Sequence, residues 1–221
     1  MAQARLIISS RNYSSWSLRG FLLTRLSGLD AAVEPVDLQD DTARAELLLQ
    51  ASSIRIPCLL HDGLRIWDTM AIAEYLAEIR PDAGIHPRDR AARARCRSIS
   101  GEMHAGFYAL RSSLPMNLRA HRPGFRIWTG PQADIRRVLQ IWQGCLEEWG
   151  GPWLFGEKPC MADAMYAPVV TRFLTYDVKL EGACAAFARQ VMEWAPMAEW
   201  VAAAQDEPEP PIHELEVEAE F

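Results

Sequence analysis

Apolar residues first gather at Leu6-Ile7-Ile8, a run that reads as a short buried strand over residues 6–10. The period then changes. Leu18, Phe21, Leu22, Leu26 and Leu29 fall at helical spacings and predict a helix over residues 15–27, with Gly28 as its C-terminal cap. Residues 32–38, with Val33 and Val36, read as a second strand. Residues 42–50 are helical in pattern and end on Leu47-Leu48-Leu49. Asp62-Gly63 then separates two apolar runs within residues 54–67, a strong hairpin signal. A further helix starts at Asp68-Thr69, carries Ile72, Leu76 and Ile79, and is closed by Pro81.

A helix between two strands implies a parallel pair, and the hairpin adds an antiparallel edge. The order strand–helix–strand–helix–hairpin–helix resembles a thioredoxin-like α/β unit. Residues 80–87, Arg-Pro-Asp-Ala-Gly-Ile-His-Pro, are rich in breakers and read as a linker. Beyond them strand patterns disappear. Residues 89–119 read as one long helical stretch, ended near Pro123-Gly124. Residues 132–149 place Ile135, Val138, Leu139, Trp142 and Leu146 on one face. Residues 161–176 are apolar all round, which predicts a buried helix. Two more helices are expected at 182–194 and 196–205. The predicted fold is an α/β thioredoxin-like N-terminal domain (residues 1–80), a linker (81–87) and an all-α C-terminal helical domain (88–205). Residues 206–221 form an acidic tail, read as extended or disordered.

Charge refines this division. The formal charge of −6 comes from the tail, which holds seven acids and no Lys or Arg. Without it, 22 acids face 23 bases, and no clustered basic stripe suits nucleic acid. No apolar run approaches the ~18 residues of a membrane-spanning helix. The N-terminus has no charged region followed by a long apolar one, so it does not read as a secretory signal and the expected location is cytoplasmic. Cys58, Cys96, Cys145, Cys160 and Cys184 are scattered without a C-x-x-C pair, and the five histidines are equally dispersed. Neither a disulfide framework nor a metal site is expected.

Three features of the first domain carry candidate chemistry. Asn12-Tyr13-Ser14-Ser15-Trp16-Ser17-Leu18-Arg19 lies at a strand-to-helix turn, where unpaired backbone N–H groups and the helix dipole favour an anion. A serine there also serves as an ordinary N-cap. Ile56-Pro57 precedes a strand; the proline reads as an edge-strand residue or as a cis residue that presents the Ile56 backbone to a ligand. Asp68-Thr69 stands at a helix start, as a cap or as a second anion-holding point. In a thioredoxin-like unit all three lie at one end of the sheet, around a cleft suited to a small, extended, anionic peptide.

Over about residues 5–205 the chain resembles the cytosolic glutathione S-transferases, in their serine-type, zeta- and tau-like classes. Ser14 through Arg19 is similar to the serine motif, in which an arginine follows the serine by five positions. Ile56-Pro57-Cys58-Leu59 is similar to the cis-proline segment, and Met161-Ala162-Asp163-Ala164 to the capping motif of the buried helix. The resemblance implies glutathione as cosubstrate, no metal, and a homodimer. It implies Ser14 as the group facing the thiol, Arg55 at the glycyl carboxylate, Ile56 and Pro57 at the peptide backbone, and Asp68 and Thr69 at the γ-glutamyl group. Two residues depart from the pattern. Cys160 replaces the usual Ser or Thr N-cap, which weakens one of two reciprocal hydrogen bonds, and Thr69 replaces a serine while keeping its hydroxyl.

Glutathione's thiol titrates like a free cysteine, near 8.5, and only the thiolate is nucleophilic. Tyr13 and Ser17 are the rival donors to Ser14. His104, Tyr108 and Arg111 fall roughly on one helical face with Phe107 and Leu110 beside them, either as a solvated polar face or as a pocket for a small hydrophobic or anionic electrophile. The implied activity is glutathione transfer. Glutathione-dependent isomerisation of the maleylacetoacetate type is an alternative, although Trp16 stands where that motif has cysteine. A non-catalytic binding module is another.

Overall fold

The structure, a computed structural model, describes residues 4–36 and 55–208. The expected helix at 42–50, the end of the second strand beyond residue 36 and the tail beyond residue 208 lie outside the described residues.

The first domain contains β1 (Ala4–Ile8), α1 (Ser15–Leu26), β2 (Ala31–Pro35), β3 (Cys58–His61), β4 (Leu64–Trp67) and α2 (Thr69–Ile79). Its sheet has the order β2-β1-β3-β4. β1 runs parallel to β2, from Ala4 opposite Ala31 to Ile8 opposite Pro35, and antiparallel to β3. α1 supplies the crossover that a parallel pair requires. β3 and β4 form the expected hairpin, with Asp62 at φ 49° and Gly63 at φ 77°, the positive angles that a type I′ turn demands.

The second domain is all helical: α3 (Arg90–Ala105), α4 (Tyr108–Ser113), α5 (Thr129–Trp149), α6 (Met161–Thr175), α7 (Gly182–Glu193) and α8 (Ala195–Gln205). The single long helix expected over 89–119 is broken. Gly106 leaves the helical path, where a Cβ would come within 2.7 Å of the Glu102 carbonyl oxygen, and Phe107 adopts a left-handed φ of 58°. The break turns Phe107 into the core beside Leu110, Leu114 and Met116. Apolar periodicity runs on through the kink, so the pattern alone reads as continuous. Pro115 then prevents α4 from resuming.

α1 and α6 are buried on nearly every side, unlike surface helices with one apolar stripe. The cause is their position: α1 packs against α2, α6 and α8, so α6 closes on α1 from the second domain. The segment between the domains is itself packed. Ile85 is buried, and its carbonyl accepts the Met161 N–H at 2.8 Å.

At the start of α6, Asp163 Oδ2 accepts from Cys160 N–H at 2.8 Å and Oδ1 accepts from Leu154 N–H at 3.0 Å. The capping box is present in both directions, the thiol half being the weaker because sulfur is a poor acceptor. All five cysteines are buried, and the Cys96 and Cys160 sulfurs stand 3.8 Å apart.

Burial pushes the Asp163 carboxyl up to about 7, against the pull of its two backbone donors. The folded protein thus holds this proton more tightly than the unfolded chain does. The resulting stability is fully present below the ordinary carboxylate range and is lost as pH rises toward 7. Melting temperature should therefore decline between about pH 4 and pH 7 and level off above that. Asp163→Asn should flatten that decline while costing ~1–3 kcal/mol for a lost acceptor. An unaltered slope in the variant would contradict this origin.

Candidate functional site

The serine turn is built from the end of β1. Ser14 is the N-cap of α1, its oxygen accepting from Ser17 N–H at 3.2 Å while its hydroxyl donates to Ser17 Oγ at 2.9 Å. Ser17 Oγ also accepts from Ser9 N–H at 3.1 Å, so this fully buried hydroxyl ties the helix to the strand that precedes it. Ser15 is equally buried and accepts from Arg19 Nη1 at 2.9 Å. Of the three serines, Ser14 alone keeps some exposure, 6 %.

Arg19 is fully buried. Its Nε donates to the Met165 carbonyl of α6 at 2.8 Å, and its guanidinium lies 4.5 Å from the centre of the Trp16 ring. Arg111 lies 5.5 Å from the same ring and His104 is 5.2 Å from it, centre to centre. Trp16 thus joins the start of α1 to α3 and α4.

Pro57 closes the next side. The Ile56-Pro57 bond is cis, and Pro57 packs on α1 at Gly20. A Cβ on Gly20 would stand 2.7 Å from Pro57 Cγ and 2.8 Å from its Cβ, so only glycine permits this approach. Arg55 is exposed at the entrance to the segment.

α2 supplies the third side. Asp68 caps it, Oδ1 accepting from Met70 N–H at 2.8 Å and from Ala71 N–H at 3.4 Å. The backbone of Asp68 has φ 75° and ψ 132°, outside the regions a non-glycine residue favours, a kind of outlier that concentrates at binding sites. Its Oδ2 lies 2.7 Å from His104 Nε2 of the second domain. Thr69 is buried, and its hydroxyl has no hydrogen-bond partner among the described residues. An unpaired hydroxyl at a helix N-terminus is a costly arrangement that a bound anion would relieve.

The predicted electrophile residues do not share one helix face. His104 ends α3 and bonds to Asp68, so it belongs to the wall between the domains. Phe107 is core, Tyr108 is 62 % exposed on α4, and Arg111 stacks on Trp16. Trp16 stands out in the sequence only as a departure from the isomerase motif, and its i,i+3 spacing to Arg19 is the signal for the contact seen here. Sequence reasoning passed over Glu207, assigned to the solvated tail. The Glu207 carboxylate accepts from Ser10 Oγ and Arg11 N–H, both at 2.8 Å, and from Asn12 N–H at 3.0 Å. Cys58 is buried in β3 with its thiol pushed up by burial, an unreactive state. Among the described residues no group of three or more His, Cys, Asp or Glu is arranged to hold a metal, and no helix is long and apolar enough to cross a membrane.

Residues 13–79 match the glutathione S-transferase N-terminal domain and residues 131–203 the glutathione S-transferase C-terminal domain. The maleylacetoacetate isomerase of Rhizobium meliloti is 32 % identical over 177 residues, covering 76 % of this chain and 81 % of that one. The chain belongs to the glutathione S-transferase family. The rat maleylacetoacetate isomerase is 28 % identical over 173 residues, covering 77 % of this chain and 78 % of its own length. Among solved structures, a glutathione transferase homolog from Burkholderia GL BGR1 with bound glutathione has a TM-score of 0.68 at 22 % identity, covering 93 % of this chain and 100 % of that one. Maleylacetoacetate isomerase from Anaeromyxobacter dehalogenans 2CP-1, with bound dicarboxyethyl glutathione and citrate, has a TM-score of 0.65 at 23 % identity, covering 96 % and 97 %. The family's fold, a mixed four-stranded sheet domain followed by a helical one, is the fold seen here.

Gly20→Ala tests the packing under the cleft. Helix propensity alone favours alanine by ~1 kcal/mol, whereas overpacking against Pro57 costs ~1–3 kcal/mol. Urea denaturation should find the variant less stable; a gain in stability would contradict the close approach.

Proposed function

We propose that the protein binds glutathione in the cleft between the N-termini of α1 and α2 and transfers its thiolate to a small electrophile. The Ser14 hydroxyl carries this reading. Its oxygen caps α1 through a lone pair, which leaves its hydrogen free to serve another acceptor. Here that acceptor is Ser17 Oγ, which also receives Ser9 N–H. A thiolate at the mouth of α1 would take the hydrogen without uncapping the helix. Capping and catalysis are then two uses of one hydroxyl.

The magnitudes suffice. Lowering the thiol by one pKa unit needs ~1.4 kcal/mol of preference for the charged form. A hydrogen bond to a charged group contributes ~1.5–3 kcal/mol, and a helix N-terminus adds ~0.3–1 kcal/mol. No separate general base is required. Asp68 takes the γ-glutamyl ammonium, and Thr69 with the α2 N-terminus takes its carboxylate, which would give the buried hydroxyl its missing partner. Ile56 pairs with the peptide backbone beside Pro57, and Arg55 meets the glycyl carboxylate. Trp16, His104, Tyr108 and Arg111 border the side open to the electrophile, with Phe107 supporting them from the core. The nearby Arg111 charge favours an anionic or strongly polarised electrophile.

In transfer, the sulfur lone pair forms a bond to the electrophilic carbon while the leaving group departs with its electron pair. Isomerisation uses the same attack. The thiolate adds to an activated double bond, the former double bond rotates as a single bond, and the thiolate is expelled. The curated relatives named maleylacetoacetate isomerase favour this second reading. A homodimer fits the surface of β4, an edge strand with Leu64 54 % and Trp67 40 % exposed.

Ser14→Ala should leave glutathione affinity within a few-fold by calorimetry and lower kcat tenfold or more, about the effect of one lost donor to a charged group. A panel of conjugation, peroxide reduction and cis–trans isomerisation assays reads the reaction type. Full activity in Ser14→Ala, with Ser17→Ala or Tyr13→Phe inactive, would move the role to another residue. Absence of glutathione binding by the wild-type protein would leave a non-catalytic module.

A further inference from the structure

The turn that delivers Ser14 is held from the far end of the chain. Ser10 organises it: its hydroxyl oxygen accepts from Asn12 N–H and Tyr13 N–H, each at 3.1 Å, and its carbonyl accepts from Ser14 N–H at 3.1 Å. The Ser10 hydroxyl hydrogen goes to Glu207 Oε2 at 2.8 Å. The same carboxylate accepts from the next two backbone N–H groups, Arg11 through Oε1 at 2.8 Å and Asn12 through Oε2 at 3.0 Å. One side chain just past α8 therefore receives three hydrogen bonds from consecutive residues of the turn.

Glu207 is itself anchored. Arg119 donates from Nη2 to the Glu207 carbonyl and from Nε to the Ala204 carbonyl at 2.8 Å. The Arg119 N–H donates to Asn12 Oδ1 at 3.1 Å, so the same residue also holds the turn. Trp200 of α8, fully buried on Phe21 of α1, donates from Nε1 to the Arg11 carbonyl at 2.9 Å. The half-buried acid thus sits in a closed circuit that joins α8, residues 117–119 and the turn.

We propose that Glu207 is a positioning residue for Ser14: its carboxylate fixes the turn of residues 10–13 in the one arrangement that presents the Ser14 hydroxyl at the start of α1. This rests on the reading of Ser14 as the thiolate's donor. A carboxylate suits the task because it only accepts, and the turn offers it only donors. Hydrogen bonds to an ionised acceptor are also the stronger kind.

The test compares Glu207→Ala, Glu207→Gln, Ser10→Ala and Ser14→Ala in the full chain. Each is titrated with glutathione by calorimetry, by the ultraviolet absorbance of the bound thiolate against pH, and by steady-state kinetics. Glu207→Ala should bind glutathione within about twofold of wild type. It should raise the bound thiol's pKa by ~0.5–1 unit and lower kcat at neutral pH three- to tenfold, with KM little changed. Glu207→Gln, which keeps one acceptor oxygen, should fall between, and Ser10→Ala should reproduce part of the shift. Should Glu207→Ala fail to fold, these two carry the same test. In a Ser14→Ala background, Glu207→Ala should produce no further shift. A wild-type thiol pKa and kcat in Glu207→Ala, beside a clear loss in Ser14→Ala, would overturn the proposal and leave the site reading intact. So would a Glu207→Ala effect confined to melting temperature, or one that simply adds to Ser14→Ala. If Ser14→Ala itself shifts nothing, the site reading falls and the proposal with it.

Discussion

A fully buried guanidinium joins the two halves of this molecule. Arg19 has no contact with water, and an isolated charge in that position would be prohibitively costly. Among the described residues, Met165 of α6 offers it a carbonyl, Ser15 a hydroxyl and Trp16 the face of its ring. Each of these fixes something else. The Met165 bond locks α1 onto the second domain. The Ser15 bond keeps the first turn of α1 wound, beside the Ser14 cap. The stacked Trp16 ring presents its surroundings to His104 and Arg111, and His104 reaches back to Asp68 at the start of α2. The arginine five positions after the serine therefore has a physical reason: it is the tie that makes the cleft a feature of both domains.

The cleft brings together two helix N-termini, each with a hydroxyl beside it. At α1 the Ser14 hydroxyl spends a lone pair on the helix and lends its hydrogen to a neighbour already supplied by Ser9. At α2 the buried Thr69 hydroxyl has no partner among the described residues, beside a strained Asp68. Under the proposed reading, a bound anion would give the Thr69 hydroxyl a partner and would take over the hydrogen that Ser14 gives to Ser17. Around them, the supports are short-range and rigid: glycine against proline at Gly20 and Pro57, and a carboxylate at Glu207 accepting from three donors. The fold holds the serine turn from both sides, through β1 and Ser17 within the first domain and through Trp200 and Glu207 of the second.

Much of this was legible in the order of residues. The Asp62-Gly63 hairpin, the α2 start at Asp68, and the all-round apolar character of α6 each rest on local chemistry, and the structure bears out each as an element. The break at Gly106-Phe107 was not legible. Apolar periodicity continues through it, and the left-handed turn is stabilised by burying Phe107 in a core assembled from distant segments. His104 and Asp68 were read as serving different substrates, because nothing local tells that a helix end 36 residues away will meet the α2 cap. Glu207 was hidden by its company. An acid in an acidic, proline-rich stretch reads as solvated, and only the packing of α8 on α1 brings it to the turn.

In the proposed reading, glutathione's sulfur lies at the start of α1 and takes the hydrogen that Ser14 now gives to Ser17. A crystal structure of the protein with glutathione bound measures this directly. The sulfur should lie within hydrogen-bond distance of Ser14 Oγ, with the Ser14 oxygen still accepting from Ser17 N–H. A sulfur facing Tyr13, Ser17 or the second domain, with the Ser14–Ser17 hydroxyl bond unchanged, would contradict it.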